Sequence, residues 1–137
     1  MPSIKDIKVG DMLPERRHTP SNVSLFLYNA AIWNAHRIHY DAIYTTEVEK
    51  HPAIVVDGPL QGDWLTQVVL NWLGDDGELI EFEYSNRRAC YLGQTMISSG
   101  RIEAVKPDER EAEISVFVKV ETGEVTAPGR AVVRFRR

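Results

Sequence analysis

The densest group of reactive side chains lies between Trp33 and Asp41, in the sequence Trp-Asn-Ala-His-Arg-Ile-His-Tyr-Asp. The stretch combines imidazole, amide, guanidinium and carboxylate groups, and imidazole titrates near neutral pH, so it can exchange protons with a substrate. His36 and His39 would share one face of a helix, but their aromatic and β-branched neighbours favour a loop or short turn. Such a loop is typical of a site, yet it is equally typical of a hydrogen-bonded connection between elements. The stretch alone leaves both interpretations open.

A second segment with chemical potential runs from Ala53 to Gln61 and is apolar up to Asp57-Gly58-Pro59. Proline is favoured in the first turn of a helix, so this segment is predicted to open the chain's most apolar helix. A glycine amide at a helix N-terminus can hold an oxyanion. The two segments together therefore offer a group for proton transfer and a donor for a developing negative charge.

In this order, His-x-x-His-Tyr-Asp and then Val-Val-x-Gly-Pro-Leu, the segments resemble the MaoC-like acyl-CoA hydratases and dehydratases of the hotdog fold. The closer likeness is to the branch with mesaconyl-CoA hydratase and the mitochondrial hydroxyacyl-thioester dehydratases. The resemblance implies an α+β domain in which a curved antiparallel sheet wraps around a central helix. It also implies a lyase that adds water to, or removes it from, the 2,3-bond of an enoyl or 3-hydroxyacyl thioester. The substrate would be carried by CoA or an acyl-carrier protein, without any cofactor.

Hydration of an enoyl thioester needs a base for water, an acid for the α-carbon and a donor for the thioester oxygen. The resemblance assigns acid–base catalysis to His39 and the backbone donor to Gly58. In the related (R)-specific hydratases the segment reads Asp-x-Asn-Pro-x-His, so Asn34 stands in place of the catalytic aspartate. Because an amide cannot take a proton, Asn34 is expected to orient water or thioester, and His36, His39 or Asp41 takes up the missing role. The plain alternatives are helix capping by Asn34 and loop stabilisation by His36.

The remaining candidates are assigned to substrate binding. Asp57 stands where the relatives usually carry histidine, and its carboxylate is expected to repel or reposition a CoA thioester. Arg37, Arg87 and Arg88 are candidates for the CoA phosphates, although each also suits a surface ion pair. Asp41 is placed in the same group, with capping of the following helix as its favoured role.

Two other functions use the same residues. A hotdog thioesterase would employ a carboxylate near the central helix, either Asp57 or Asp63. Alternatively, the chain is a weakly catalytic or non-catalytic partner in a heteromeric hydratase, because the family includes paired subunits of which only one carries the active constellation. A zinc site built from His36, His39 and Asp41 is the weakest idea, since three ligands in one short loop seldom converge without a distant fourth. We therefore expect no metal.

Composition limits the class of protein. The 137 residues are expected to form one domain spanning 1–137, and the net charge of -4 argues against a nucleic-acid binder, which needs a basic face. The single cysteine, Cys90, excludes an intrachain disulfide, and no apolar run approaches the roughly 20 residues of a membrane span. We expect a cytoplasmic protein without a membrane partner, and most simply a homodimer or higher oligomer, since a single sheet leaves an edge to cover.

Local patterns predict the elements that would position these residues. His18 is expected to be solvated, and Pro128-Gly129 is expected to mark a bulge or an edge strand, because proline cannot donate to a ladder. Gly74 is expected to stop the central helix. The predicted helices are 23–32, 41–49 and 59–73. Residues 4–13 are predicted to form a short strand and a turn at Gly10-Asp11, and 15–18 a second short strand or a surface segment; the long predicted strands are 78–87, 90–105, 111–121 and 124–136.

Overall fold

The computed structural model describes residues 2–137. Two α-helices and five strands carry the fold. They are β1 (Arg16–His18), α1 (Asn22–Ala31), α2 (Gly58–Leu73), β2 (Gly77–Tyr84), β3 (Met96–Lys106), β4 (Glu111–Val120) and β5 (Val125–Phe135). Three short 3₁₀ segments and one π-helical segment join them, at Arg37–His39, Tyr44–Val48, Gly74–Asp76 and Pro107–Glu109.

The central helix α2 follows from its apolar pattern. Its buried side chains recur with helical spacing and pack against the four long strands, which confirms the predicted wrapped helix. The chain leaves the helix at Gly74, whose φ of 58° lies in the left-handed region that favours glycine. The buried members of the helix are Gln61, Gly62, Trp64, Leu65, Val68, Val69 and Leu73.

The five strands form one antiparallel sheet in the order β1-β3-β4-β5-β2. Strand β4 shows how the sheet covers the helix: every second residue from Ala112 to Val120 is buried, as the period-two pattern predicts. The predicted fold, an α+β hotdog with a curved antiparallel sheet around a central helix, is confirmed.

Two predicted strands differ from the structure because the chain bonds elsewhere. Within residues 4–13 the predicted turn is present at Gly10, but the short strand predicted before it is replaced by a further turn, and a single bridge joins Met12 to Arg101. Residues 85–95 were predicted to be mostly strand, but the chain leaves the sheet after Tyr84 and returns at Met96. In between, the Val56 N–H donates to the Cys90 carbonyl and the Leu92 N–H to the Ile54 carbonyl, so this segment pairs with the approach to α2.

The prediction that Pro128-Gly129 marks a bulge or an edge strand was wrong. Strand β5 lies between β4 and β2, not at an edge, and its register irregularity skips Thr126 instead. Pro128 is tolerated because its carbonyl accepts from the Ser85 N–H just beyond the end of β2, where no ladder donor is required.

His18 is not solvated as predicted. Its ring stacks on Trp64 of α2, with ring centroids 4.2 Å apart and planes 6° from parallel, and its Nε2 lies 2.8 Å from the Ser98 hydroxyl. Burial, and to a lesser extent the charge of Arg16, lowers the pKa of His18 to about 4. The ring is therefore neutral at physiological pH and belongs to the packing of β1 on α2.

None of the helices within residues 2–137 combines the length and the apolar character needed to cross a bilayer.

Candidate active site

The segment Trp33–Asp41, called the site loop below, is positioned by α1. That helix begins with a capping box, in which the Ser21 hydroxyl accepts from the Ser24 N–H and the Ser24 hydroxyl accepts from the Ser21 N–H. The chain then reverses at Trp33, whose φ is 58°, and the Asn34 N–H bonds back to the Asn29 carbonyl. A single 3₁₀ turn follows and carries His39. The short turn predicted for this stretch is present.

His39 has a defined tautomer. Its side chain is buried, and Nδ1 lies 2.7 Å from the Val55 carbonyl oxygen. Because a carbonyl only accepts, Nδ1 carries the hydrogen and Nε2 is the bare nitrogen of the neutral ring. Nε2 forms no hydrogen bond within residues 2–137 and is not among the buried unpartnered atoms, so it reaches solvent. The ring is therefore arranged to take a proton at Nε2.

Asp57 lies behind His39 and is completely buried. Its Oδ1 is 3.5 Å from His39 Nδ1 and accepts a 2.9 Å hydrogen bond from the Asn29 amide, while Oδ2 accepts from the Asn34 amide at 3.3 Å. The expected contact between Asp57 and a thioester has no support from this buried position. We call Asp57, Asn29, Asn34 and His39 the Asp57 network.

Asn34 and His36 bond within the site loop. The Asn34 Oδ1 accepts from the His36 N–H at 3.0 Å, so the side chain bonds forward in the loop and does not cap α1. The His36 Nδ1 accepts from the Ile38 N–H at 3.3 Å, which is the loop-stabilising role named as its alternative. Its exposed ring lies edge-on to His39, with centroids 5.8 Å apart.

Gly58 opens α2, and its N–H bonds to no other group within residues 2–137. The amide of Asn86 lies directly against it: a Cβ on Gly58 would stand 2.8 Å from the Asn86 Cγ and closer still to Nδ2. A methyl group at this position would push the exposed Asn86 amide aside, and the free Gly58 N–H is available to a ligand oxygen. The exposed amide of Asn86 therefore lies beside the Gly58 N–H at the start of α2. No sequence pattern had indicated a role for Asn86.

An apolar hollow of about 340 Å³ opens beside Asn34. Three of its seven lining residues are aromatic, and one of them, Trp33, is 93% exposed. We call it the aromatic hollow, and it is lined by Phe26, Asn29, Ala30, Trp33, Asn34, Ala35 and Tyr40.

Arg37 and Asp41 satisfy each other at the surface of the site loop. Their ion pair is 2.9 Å long, and the guanidinium also lies 4.1 Å from the centre of the Tyr44 ring. The Asp41 Oδ1 accepts from the Tyr44 N–H, so the capping role is present. This hydrogen bond, together with Arg37, lowers the pKa of Asp41. The short helix predicted for residues 41–49 is present and is mainly a π-helix.

Arg87 and Arg88 follow Asn86 on the exposed rim next to α2. Both backbone N–H groups bond to the Thr126 carbonyl, and Arg88 pairs with Glu124 at 3.4 Å. Their assignment to CoA phosphates stays a prediction. Within residues 2–137, no three His, Cys, Asp or Glu side chains are grouped to hold a metal ion.

The fold defines the chain as a hotdog domain. It is similar to the (R)-hydratase from A. caviae involved in PHA biosynthesis, with TM-score 0.86, 15% identity, and coverage of 96% of this chain and 98% of that chain. It is also similar to a MaoC-like dehydratase, with TM-score 0.88 and 24% identity, and this likeness covers 98% of this chain and 42% of that chain. The likeness to the ChsH1-ChsH2 complex from Mycobacterium tuberculosis has TM-score 0.82 and 17% identity and covers 94% of this chain and 98% of that chain. At these identities the likeness is one of fold.

The family model of hydroxyacyl-thioester dehydratase type 2 matches residues 5–92, and the chain belongs to this family. It is 45% identical over 42 residues to the mitochondrial hydroxyacyl-thioester dehydratase type 2 of Schizosaccharomyces pombe, covering 31% of this chain and 14% of that protein. It is 38% identical over 60 residues to the mesaconyl-C(4)-CoA hydratase of Chloroflexus aurantiacus, covering 44% and 19%. The matched segments thus span only a small part of either relative, while the resemblance read from the two motifs is confirmed.

Proposed function

We propose that the protein is an acyl-thioester hydratase or dehydratase, a hydro-lyase acting at the 2,3-bond of an enoyl or 3-hydroxyacyl thioester. The observation that carries this proposal is the geometry of His39. Its Nδ1 is tied to the Val55 carbonyl, which leaves Nε2 bare and open to solvent. Membership of the hydroxyacyl-thioester dehydratase type 2 family supports the same reaction.

In the hydration direction, His39 Nε2 takes a proton from water as the water oxygen bonds to C3 of the enoyl group. The electron pair moves to the thioester oxygen, where the Gly58 N–H donates to the developing negative charge. The imidazolium then returns a proton to C2, so that one water has been added overall. Dehydration is the reverse. Asn34, held between Asp57 and the His36 N–H, orients the water and does not act as a base.

The aromatic hollow beside Asn34 is the proposed location of the acyl group. Its volume lies near the lower end of the range for small-molecule sites, and its walls are mostly apolar. The carrier, CoA or acyl-carrier protein, would leave the site past Arg87 and Arg88. No cofactor is required by this reaction.

We also propose that the working form is a dimer in the cytoplasm. Strand β2 supports the dimer, because its outer edge has no neighbouring strand within residues 2–137. The heteromeric alternative has support from the likeness to the ChsH1-ChsH2 complex. The cytoplasmic location rests on the cysteine content alone.

The thioesterase alternative gains no favourable observation. Asp57 is buried away from solvent, and the Asp63 carboxylate accepts a 3.0 Å hydrogen bond from the Tyr28 hydroxyl. Both carboxylates are therefore engaged within the protein.

The deciding experiment incubates the purified protein with a panel of enoyl-CoA thioesters of increasing acyl length. Loss of the conjugated-thioester absorbance without release of free thiol is the expected result. Release of thiol would indicate a thioesterase. If neither signal changes with any member of the panel or with acyl-carrier thioesters, the proposed function is wrong for this chain acting alone, and the assay is repeated with a second hotdog subunit.

A further inference from the structure

We infer that Asp57 is a positioning residue: it is the buried counter-ion that orients His39 and Asn34 from behind the site, and it does not contact the substrate. Its effect on turnover rests on the proposed function. Its effect on the His39 ring does not, because that effect concerns the protein alone.

The surroundings of Asp57 are those of an anion. The residue is fully removed from water, and a buried carboxylate is tolerated only where donors replace its hydration. Two amides do so here: that of Asn29 at 2.9 Å and that of Asn34 at 3.3 Å. The ring of His39 lies beside the carboxylate, with Nδ1 3.5 Å from Oδ1, while its Nδ1–H donates to the Val55 carbonyl. The two amides come from α1 and the site loop, so the carboxylate ties both segments to the start of α2.

The orientation of Asn29 shows that an acceptor is required at this position. Its Nδ2 donates to both the Leu25 carbonyl and Asp57, whereas its Oδ1 is buried without a partner. Turning the amide over would face Oδ1 toward two acceptors, which is worse than one unpartnered oxygen. The same reasoning determines the orientation of the Asn34 amide, whose Nδ2 faces Asp57 and whose Oδ1 faces the His36 N–H.

The charge of Asp57 acts on His39 when the ring takes a proton. An anion 3.5 Å from Nδ1 favours a positive charge on the ring, although the Nδ1–H itself donates to the Val55 carbonyl. Among the other charged groups of the site loop, Arg37 and Asp41 pair with each other, and the centre of the His36 ring lies 5.8 Å from that of His39.

The test compares Asp57→Asn and Asp57→His with the wild type. Asparagine keeps the shape of the side chain and removes its charge. Histidine is the residue usual in relatives at this position, so Asp57→His is a second variant to measure if Asp57→Asn does not fold. Asp108→Asn, in the exposed turn before β4, is the matched control. Thermal melting confirms folding. The His39 ring-proton signal, assigned by its absence in His39→Gln, is followed by NMR from pH 5 to 9.

We expect the midpoint of the His39 signal to move to lower pH in both Asp57 variants, because the neighbouring negative charge is gone, and to stay unchanged in Asp108→Asn. For the active enzyme, kcat falls about 10-fold or more with little change in KM, and the acidic limb of the kcat/KM profile moves to lower pH. A folded Asp57 variant with an unmoved midpoint would overturn the inference. If the wild type has no turnover, the proposed function fails, while the NMR midpoint still decides the role of Asp57.

Discussion

At the residue scale, the proposed chemistry depends on one ring nitrogen. His39→Gln removes the base and keeps a polar side chain at this position, so we expect turnover to fall about 10²-fold or more with the fold intact. Asn34→Ala should lower it less, because Asn34 only orients. The measurement is steady-state hydration of the best thioester in the panel, with melting temperature as control. Near-normal hydration by His39→Gln would contradict the assignment of His39 as the base, and release of free thiol that depends on Asp57 would favour the thioesterase alternative.

The contact between Gly58 and Asn86 makes a second residue-scale prediction. In Gly58→Ala the new methyl group overlaps the exposed Asn86 amide, so either this side chain or the start of α2 must move, and a shift of α2 should lower kcat/KM by up to about 10-fold. The double variant Gly58→Ala with Asn86→Ala should regain most of this loss, since the amide is gone. Asn86→Ala alone is the control. A double variant as poor as Gly58→Ala would show that Asn86 is not the obstacle.

His18 predicts how stability depends on pH. The unfolded chain takes a proton at His18 below about pH 6.5, whereas burial holds the pKa of the folded residue at about 4. Between these values the unfolded state binds more protons, so the free energy of unfolding decreases as pH falls. After discounting for partial exposure, the effect is about 1 to 2 kcal/mol. Urea denaturation at pH 7 and pH 5 should show a smaller difference in His18→Gln than in the wild type. An equal difference in both would contradict this account.

At the element scale, helix α2 holds the sheet and the site together, and Trp64 is its largest buried side chain at 7% exposure. Trp64→Ala should lower the free energy of unfolding by about 3 to 5 kcal/mol, because it leaves a cavity and removes the stacking partner of His18. Trp33→Ala is the matched control, since that ring is 93% exposed and should change stability by less than about 0.5 kcal/mol. Urea denaturation measures both variants. Equal effects would show that Trp64 does not anchor the helix.

At the scale of the whole molecule, the sheet ends on two unequal edges. Strand β1 covers one side with three residues, while β2 presents eight residues along the other. We expect a dimer, because a long uncovered edge recruits another strand. Light scattering at micromolar concentration should give twice the chain mass. A monomer mass would contradict the prediction, and a dimer formed only with a second hotdog chain would favour the heteromeric alternative.

The sequence by itself determined the features that depend on neighbours along the chain. Two of these features are periodicities, the helical spacing of apolar residues in α2 and the alternation in β4, and the third is the Gly-Pro pair at the helix start. The structure has all three as predicted. The short turn that carries His39 was also readable from its neighbours. These patterns, with the two motifs, were sufficient for the hotdog fold and for the family.

Only the tertiary structure decided which side chains meet. Asn29 and Asp57 are 28 positions apart and bond because α1 packs beside the start of α2. Asn86 reaches Gly58 because the chain leaves the sheet after β2, where the sequence predicted continued strand. His18 was predicted to be solvated, whereas the pairing of β1 with the sheet brings its ring onto Trp64. In each case the deciding contact is long-range, and its geometry depends on how the helices and sheet pack, which no local pattern encodes.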